Sequence, residues 1–153
     1  MLDSIEVKVK YLHPLWNQYP LQYATLYSAG LDLRACLEDE SLCLQPGDKQ
    51  TLSCGLALEI VSPGYAGFIY SRSGLGTKQG LVVTQGVGVI DPDYRGEIKV
   101  SLLNVSNQSQ SINHGQRIAQ LLFLPVRQAR IKNVDALNHT ERGEGGFGHS
   151  GAK

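Results

Sequence analysis

Cysteine is scarce in this chain, and the cysteines that occur do not pair. Cys36, Cys43 and Cys54 are an odd number, and no CxxC motif is present in the 153 residues. Structural zinc sites and disulfide frameworks need cysteines at characteristic spacings, so the sequence disfavours both. Three reduced thiols in a cytoplasmic protein are the simplest interpretation.

An excess of either charge is also missing. The sequence holds 14 Lys and Arg residues against 14 Asp and Glu residues, which gives a formal net charge of zero. Nucleic-acid-binding proteins usually carry a basic excess, so we expect no nucleic-acid partner. A small nucleotide held by a few local charges is compatible with this balance.

Long hydrophobic runs are absent as well. No window approaches ~18 consecutive apolar residues, and the N-terminal MLDSIEVKVKYL lacks the apolar run of a signal peptide. We therefore expect no membrane partner and a cytoplasmic location. The length suits one domain with a sizeable core.

The hydrophobic pattern is mostly that of β-strands. Ile5, Val7 and Val9 alternate with charged residues, and residues 98–102 alternate in the same way. A period of two places one face of each strand in a core. Several short runs of this kind, separated by turn signals, predict a sandwich, jelly roll or barrel. The one short helix that we expect lies around residues 74–79.

Two segments in the first half of the chain contain candidate functional residues, and the second of them is a candidate for binding an anion. The first, SAGLDLRA at residues 28–35, contains Asp32, and the second, SRSGLGTKQG at residues 71–80, contains Arg72 and Ser73 before the short helix. Backbone N–H groups at a helix start, a hydroxyl and a guanidinium all favour phosphate. Taken alone, the first segment is more typical of a turn and the second of a polar loop.

Two segments in the second half carry further polar groups beside apolar runs. In TQGVGVIDPDYRGEI, residues 84–98, Asp91 follows an apolar pair and is a candidate general base, and Tyr94 is a candidate to pack against a sugar. A plain hairpin turn is the alternative. In GQRIAQLLF, residues 115–123, Arg117 and Gln120 interrupt a buried strand, and polar groups there must find partners. A contact across a subunit interface, a ligand and a structural hydrogen-bonded pair are the alternatives.

The C-terminal segment, residues 142–153, is rich in glycine and reads RGEGGFGHSGAK. It lacks the apolar side chains needed to fold alone. Arg142 suits a phosphate, Phe147 suits stacking on a base, and the glycines let backbone N–H groups approach an anion. A mobile, solubilising terminus is the alternative.

These five segments, in this order, resemble the trimeric dUTPases of the bacterial type, over residues 28–151. The resemblance implies an all-β, distorted jelly-roll or β-clip protomer at residues 1–137 and a flexible C-terminal arm at residues 138–153. It implies a homotrimer with active sites shared between chains, and hydrolysis of dUTP to dUMP and diphosphate with Mg²⁺. This reaction keeps uracil out of DNA and supplies dUMP for thymidylate synthesis.

The resemblance also implies roles for single residues. Asp91 would deprotonate the attacking water, and Gln120 would help to place it. Tyr94 would pack beneath deoxyribose and leave no room for a 2′-hydroxyl. Asp32 would contact the metal through water at most. The remaining substrate-binding residues implied are Arg72, Ser73 and Gly74 at the phosphates, Gln85, Gly88, Val89 and Ile90 at uracil, and Arg142, Phe147, Gly148, His149 and Ser150 in the arm.

This chain departs from the usual family pattern at four places. Ser71 replaces a proline, Gln79 a histidine and Gln85 an asparagine, and His149 stands in a usual Ser-Thr pair. The departure at residue 85 puts a side-chain contact to the base in doubt, although backbone contacts need not change. His149 in the arm adds a group that titrates near neutrality.

Two other functions from the same fold stay open at this stage. A dCTP deaminase would need an additional acidic residue near the base, and no such motif is evident. A regulatory trimer would bind dUTP without turnover, which an intact Asp91 and a complete arm disfavour. An unrelated jelly-roll structural protein would have no use for Arg142 and Phe147.

Overall fold

The protein is described by a computed structural model that covers residues 4–146. These residues form ten strands and two short helices. The strands are β1 (Val7–Tyr11), β2 (Leu31–Arg34), β3 (Ser41–Leu44), β4 (Lys49–Ile60), β5 (Tyr65–Ser71), β6 (Leu81–Val83), β7 (Val87–Ile90), β8 (Glu97–Asn104), β9 (Gln110–Asn113) and β10 (Arg117–Pro125). The helices are α1 (Leu15–Gln18) and α2 (Ser73–Gln79).

All strand pairs are antiparallel and form three sheets. The strand orders are β1-β4-β8-β6, β2-β10-β5-β7 and β3-β9. Sequence neighbours seldom pair, as expected for a jelly-roll arrangement in which the chain crosses between sheets. The prediction of a mostly β, jelly-roll type of fold is confirmed.

The prediction of a single helix is wrong, because a second helix, α1, follows His13-Pro14. It has four residues, too few to produce a helical period in the sequence. Pro14 caps its N-terminus with φ −58°, a value that proline's ring favours. The helix buries Leu15 and Trp16, and the Trp16 indole N–H donates to the Cys54 carbonyl at 2.8 Å.

The core lies between the two large sheets and is made of aliphatic side chains from alternate strand positions. In β2, Leu31 and Leu33 are buried, and in β10, Ala119 and Leu121 are buried. Since side chains of successive strand residues point to opposite faces, the residues between them face away from the core. The longest helix in residues 4–146 has seven residues, too short to span a membrane.

Strand β4 contains a β-bulge, where its register to β8 shifts between Ser53 and Ala57. Gly55 lies in this bulge with φ +63°, a left-handed conformation that favours glycine. A Cβ there would also come within 2.7 Å of the Cys36 sulfur. The bulge brings the backbone of Gly55 to the first residue of β8, Glu97.

A buried asparagine fixes the end of β8. The Asn104 amide donates to the carbonyls of Leu44, at 2.9 Å, and Gln108, at 2.8 Å. Its carbonyl oxygen accepts from the backbone and the hydroxyl of Ser106. This single side chain therefore joins β8, β3 and the turn after β8.

Replacing Asn104 with Ala should lower the free energy of unfolding by about 1–3 kcal/mol, because the Leu44 carbonyl loses its partner in the core. Denaturant unfolding of the two proteins at equal concentration measures this difference. The exposed Asn107 in the same turn provides a matched control, and Asn107→Ala should stay within about 0.5 kcal/mol of the parent. Equal losses in the two variants would contradict the assigned role of Asn104.

Candidate functional site

Two ion pairs that share the Asp32 carboxylate join the segment of residues 28–35 to the segments of residues 71–80 and 115–123. Arg72 Nε donates to Asp32 Oδ1 at 2.8 Å, and Arg117 Nη1 donates to Asp32 Oδ2 at 3.0 Å. One carboxylate is thus held between two guanidinium groups, with Asp32 about a quarter exposed. Such charge-assisted bonds fix the direction of both arginines and leave a net positive charge at the cleft. The sequence analysis noted Arg117 as a charge inside an apolar strand but assigned it no role in the site.

Gln120 lies beside this ion pair on the same outer face. It is opposite Asp32 in the β2–β10 register, and its Nε2 donates to the Ser71 carbonyl at 3.0 Å. The amide oxygen, Oε1, lies beside Gly30, where an added Cβ would be 2.8 Å from it. A cleft of about 290 Å³ is lined here by Ala24, Ser28, Ala29, Gly30, Asp32, Arg72, Ser73, Gly74 and Gln120.

The third candidate segment forms a different cleft, of about 260 Å³. Its lining residues are Ile69, Gln85, Gly88, Val89, Ile90, Asp91, Tyr94, Glu97, Ile98 and Lys99. Asp91 is exposed in the single chain, although the apolar Val89 and Ile90 precede it. The backbone N–H of Tyr94 donates to the Asp91 carbonyl at 3.1 Å, which closes the turn that holds both side chains at this cleft.

Strand β7, which carries Gly88 and Val89, is the outer strand of its sheet in the described chain. It pairs with β5 on one side, where Ile69 lies opposite Gly88. An edge strand presents unpaired N–H and C=O groups on its other side. These groups are available to form hydrogen bonds with a ligand whose donors and acceptors are spaced like those of a strand, such as the edge of a planar heterocycle.

The two clefts are well separated within one chain. Ile90 lies opposite Gly67, which lies opposite Phe123, three residues beyond Gln120. Asp91 follows Ile90, so Asp91 and Gln120 differ both in position along the strands and in strand, with β5 between them. At about 3.3 Å per residue and about 4.8 Å per strand, the backbones of Asp91 and Gln120 are on the order of 16 Å apart. Asp91 and Gln120 of the same chain therefore cannot contact one water molecule.

Glu97, which sequence reasoning missed, supports the Asp91 cleft from behind. Its carboxylate Oε1 accepts the backbone N–H of Gly55 at 3.0 Å and the hydroxyl of Ser53. Its carbonyl accepts the Tyr94 hydroxyl at 3.0 Å. Glu97 thus connects the bulge in β4 to the Asp91–Tyr94 turn, and no local sequence signal could have shown that distant contact.

Three of the four departures from the family pattern lie within the described residues. Ser71 Oγ accepts the backbone N–H of Val83 at 2.8 Å, so this hydroxyl ties β6 to the end of β5. Gln85 lines the Asp91 cleft, and Gln79 is exposed at the end of α2. His149 lies outside the described residues.

The arm is only partly within the described residues. Arg142 Nε donates to the Gly145 carbonyl at 2.8 Å, within a local turn, and Arg142 lines neither cleft of the single chain. Residues 126–146 contain no strand or helix, and nearly all are exposed. The predicted contacts at Phe147, Gly148, His149 and Ser150 lie outside the described residues.

No group of three or more His, Cys, Asp or Glu side chains within residues 4–146 is arranged to hold a metal ion. Both carboxylate oxygens of Asp32 already accept from guanidinium groups. Asp32 is therefore not available as a direct metal ligand, and a Mg²⁺ ion at this cleft would be held mainly by phosphates and water.

The dUTPase family model matches residues 19–151, so the chain belongs to the dUTPase family. The deoxyuridine 5′-triphosphate nucleotidohydrolase of Idiomarina loihiensis is 53% identical over 148 residues, covering 95% of this chain and 97% of the relative. That of Cronobacter sakazakii is 52% identical over 155 aligned positions and covers all of both chains. Among solved structures, the dUTPase of Staphylococcus bacteriophage 80alpha with dUPNHPP has a TM-score of 0.81 at 27% identity, covering 95% of this chain and 98% of that one.

Two thiols lie on the inner side of Glu97. Burial, with a smaller effect of the Glu97 carboxylate, raises the pKa of Cys36 to about 11. Burial also raises the pKa of Cys54, and the nearby Cys36 and Glu97 add to this. Both groups are therefore neutral near pH 7, and the thiolate form is disfavoured in the folded protein.

The raised pKa of Cys36 should make the folded protein less stable in alkaline solution. Between pH 9.0, the ordinary thiol value, and about 11, the unfolded chain loses the Cys36 proton while the folded chain keeps it. The free energy of unfolding should therefore fall as the pH rises through this range. Unfolding titrations should show a smaller fall for Cys36→Ala than for the parent, and an unchanged fall for the exposed-site control Cys43→Ala. Identical curves for all three proteins would contradict this effect.

Proposed function

We propose that this chain hydrolyses dUTP to dUMP and diphosphate. The observation that carries the proposal is the cleft that is lined together by an exposed carboxylate, Asp91, by residues of the edge strand β7 and by Tyr94. A base-reading edge, a sugar-packing ring and a proton acceptor are the three groups that a deoxynucleotide hydrolase needs at one place. Membership of the dUTPase family supports the same reaction.

Uracil recognition would use the backbone of residues 85–90. Uracil presents acceptor, donor and acceptor groups along one edge, and cytosine reverses two of them. A fixed edge strand that pairs with uracil leaves mismatched groups against cytosine, at a cost of about 1–3 kcal/mol for each. Backbone donors and acceptors do not depend on the side chain, so Gln85 in place of asparagine is compatible with this specificity.

Hydrolysis would begin with an in-line water attack on the α-phosphorus. Asp91 would accept a proton from the water, and the water oxygen would bond to the α-phosphorus. The bond from this phosphorus to the bridging oxygen would break, which releases diphosphate. Gln120 would help to place the water through its amide oxygen. Because there is little covalent chemistry for the protein to do, positioning and charge neutralisation carry most of the rate.

The triphosphate would bind in the cleft of Asp32, Arg72, Ser73 and Gly74. Asp32 orients the Arg72 guanidinium, and Ser73 and Gly74 offer a hydroxyl and an unobstructed backbone at the start of α2. When bound, Mg²⁺ would neutralise phosphate charge, with Asp32 contacting it through water at most. In the arm, Arg142 would reach the γ-phosphate and Phe147 would cover uracil, with Gly148, His149 and Ser150 completing the closure.

We further propose that the active site is shared in a homotrimer. The separation of about 16 Å between Asp91 and Gln120 within a chain supports this, because a single water must contact both. A neighbouring chain that places its phosphate cleft against the Asp91 cleft would complete the site. The arm boundary at residue 138 and the cytoplasmic location stay predictions.

The test is an assay of diphosphate release from dUTP, dCTP, dTTP and UTP with Mg²⁺, together with ammonia release from dCTP. Release from dUTP alone supports the proposal. Ammonia from dCTP would favour a deaminase instead, and binding of dUTP without diphosphate release would favour a regulatory trimer.

Replacing Asp91 with Asn should lower turnover of dUTP by about 100-fold or more, because the amide cannot accept the proton. Binding of a non-hydrolysable imido analogue of dUTP should persist, as calorimetry would show. Asp93 lies in the same exposed turn but does not line the cleft, so Asp93→Asn is the matched control and should stay near parental activity. Undiminished turnover in Asp91→Asn would exclude Asp91 as the base.

Mixing two inactive variants tests the shared site directly. After unfolding and refolding together in equal amounts, Asp91→Asn and Gln120→Ala chains should recover about a quarter of parental activity, because that share of inter-chain sites receives both intact residues. Each variant refolded alone should stay inactive. If the mixture also stays inactive although mixed trimers form, each site takes both residues from one chain, and the shared-site proposal is wrong.

A further inference from the structure

A glycine lies directly beneath the aromatic ring that would contact the sugar. Gly96 and Tyr94 are two residues apart in the turn before β8, and the ring folds back over the Gly96 backbone. A Cβ at residue 96 would lie 2.5 Å from Tyr94 Cζ and 2.9 Å from Cε2, and would collide with the hydroxyl oxygen. Carbon atoms do not approach this closely without a bond, so any side chain at 96 must displace the ring.

The same hydroxyl end of the ring is held in place by a hydrogen bond. The Tyr94 hydroxyl donates to the Glu97 carbonyl at 3.0 Å, and Glu97 is itself fixed to the β4 bulge through Ser53 and the Gly55 N–H. Tyr94 is 46% exposed, so little packing apart from these contacts restrains it. Its position at the cleft therefore depends on the missing Cβ at Gly96 and on the carbonyl of Glu97.

From this geometry we propose that Gly96 is a positioning residue that sets the preference for deoxyribose over ribose. It acts through Tyr94, whose ring reaches its place only because residue 96 has no side chain. This inference rests on the proposed function, since it assigns the sugar selectivity of that same site. It concerns discrimination between dUTP and UTP rather than the hydrolytic step.

The expected consequence of Gly96→Ala is a displaced ring in a folded protein. The atoms in collision are at the far end of a side chain that can rotate about χ1 and χ2, and the backbone of Gly96 does not have a positive φ. The ring would leave the Glu97 carbonyl and cease to form the floor below the sugar. A ribose 2′-hydroxyl would then be admitted, and the ratio of kcat/KM for dUTP to that for UTP should fall about tenfold.

The experiment compares four proteins: the parent, Gly96→Ala, Tyr94→Ala and the double variant. If Gly96 acts through Tyr94, the selectivity ratio of Tyr94→Ala should not change further when Gly96→Ala is added. An additional fall in the double variant, or an unchanged ratio in Gly96→Ala, would overturn the proposal. The control is Gly76→Ala in α2, where a Cβ meets only ordinary contacts at 3.5 Å and beyond, and its ratio should equal that of the parent.

Two further measurements keep the test independent of turnover and of folding. Calorimetric affinities for the imido analogues of dUTP and UTP give the same ratio without hydrolysis, so a parent that binds but does not hydrolyse would contradict the proposed function and leave this inference testable. If Gly96→Ala does not fold, the double variant should fold, because removing the ring removes the collision. Failure of both to fold would show that Gly96 serves the backbone and would overturn the proposal.

Discussion

The alternation of side chains across the β2-β10-β5-β7 sheet is the constraint on which the rest of the molecule depends. Leu31, Leu33, Ala119 and Leu121 enter the core because they occupy alternate positions of two paired strands. The same alternation forces the residues between them to the outer face. A one-residue slip of either strand would exchange the two sets, so the energy that buries the core also holds the polar residues at the cleft.

Register then decides what one chain can and cannot do. Pairing of β2 with β10 brings Asp32 opposite Gln120. Arg72, which directly follows β5, donates to the same Asp32 carboxylate. The same hydrogen bonds keep β7 two strands away from β10, and with it Asp91. Side chains cannot span such a gap, whereas a second copy of the chain can bring one cleft against the other. The fixed strand register that positions the residues of each cleft therefore also keeps the two clefts of a single chain apart.

Much of this could be predicted from the sequence, because the signals are local. Period-two alternation indicated the strands, and the segments around Asp32, Arg72 and Asp91 indicated both clefts. Helix α1 escaped prediction because four residues leave no period, and its stability comes from the burial of Trp16. The bond between Arg117 and Asp32 joins residues 85 positions apart, and the support of Tyr94 by Glu97 depends on a bulge in β4. Contacts of this kind follow from register, which the hydrophobic pattern alone does not fix.

Apolar surface left on the single chain is compatible with the homotrimer proposed above. Leu26 and Tyr27, next to the cleft that contains Asp32 and Gln120, are 77% and 80% exposed. Ile131 and Leu137, after the last strand, are 86% and 89% exposed. Burying a side chain of this size contributes about 1.5–3 kcal/mol. In the proposed homotrimer, burial of these side chains would contribute free energy of association. Association would place the Asp91 cleft of one chain against the cleft of another chain that contains Asp32 and Gln120. Assembly and completion of the active site would then be one event, so that an isolated chain would have both halves of the site and no activity.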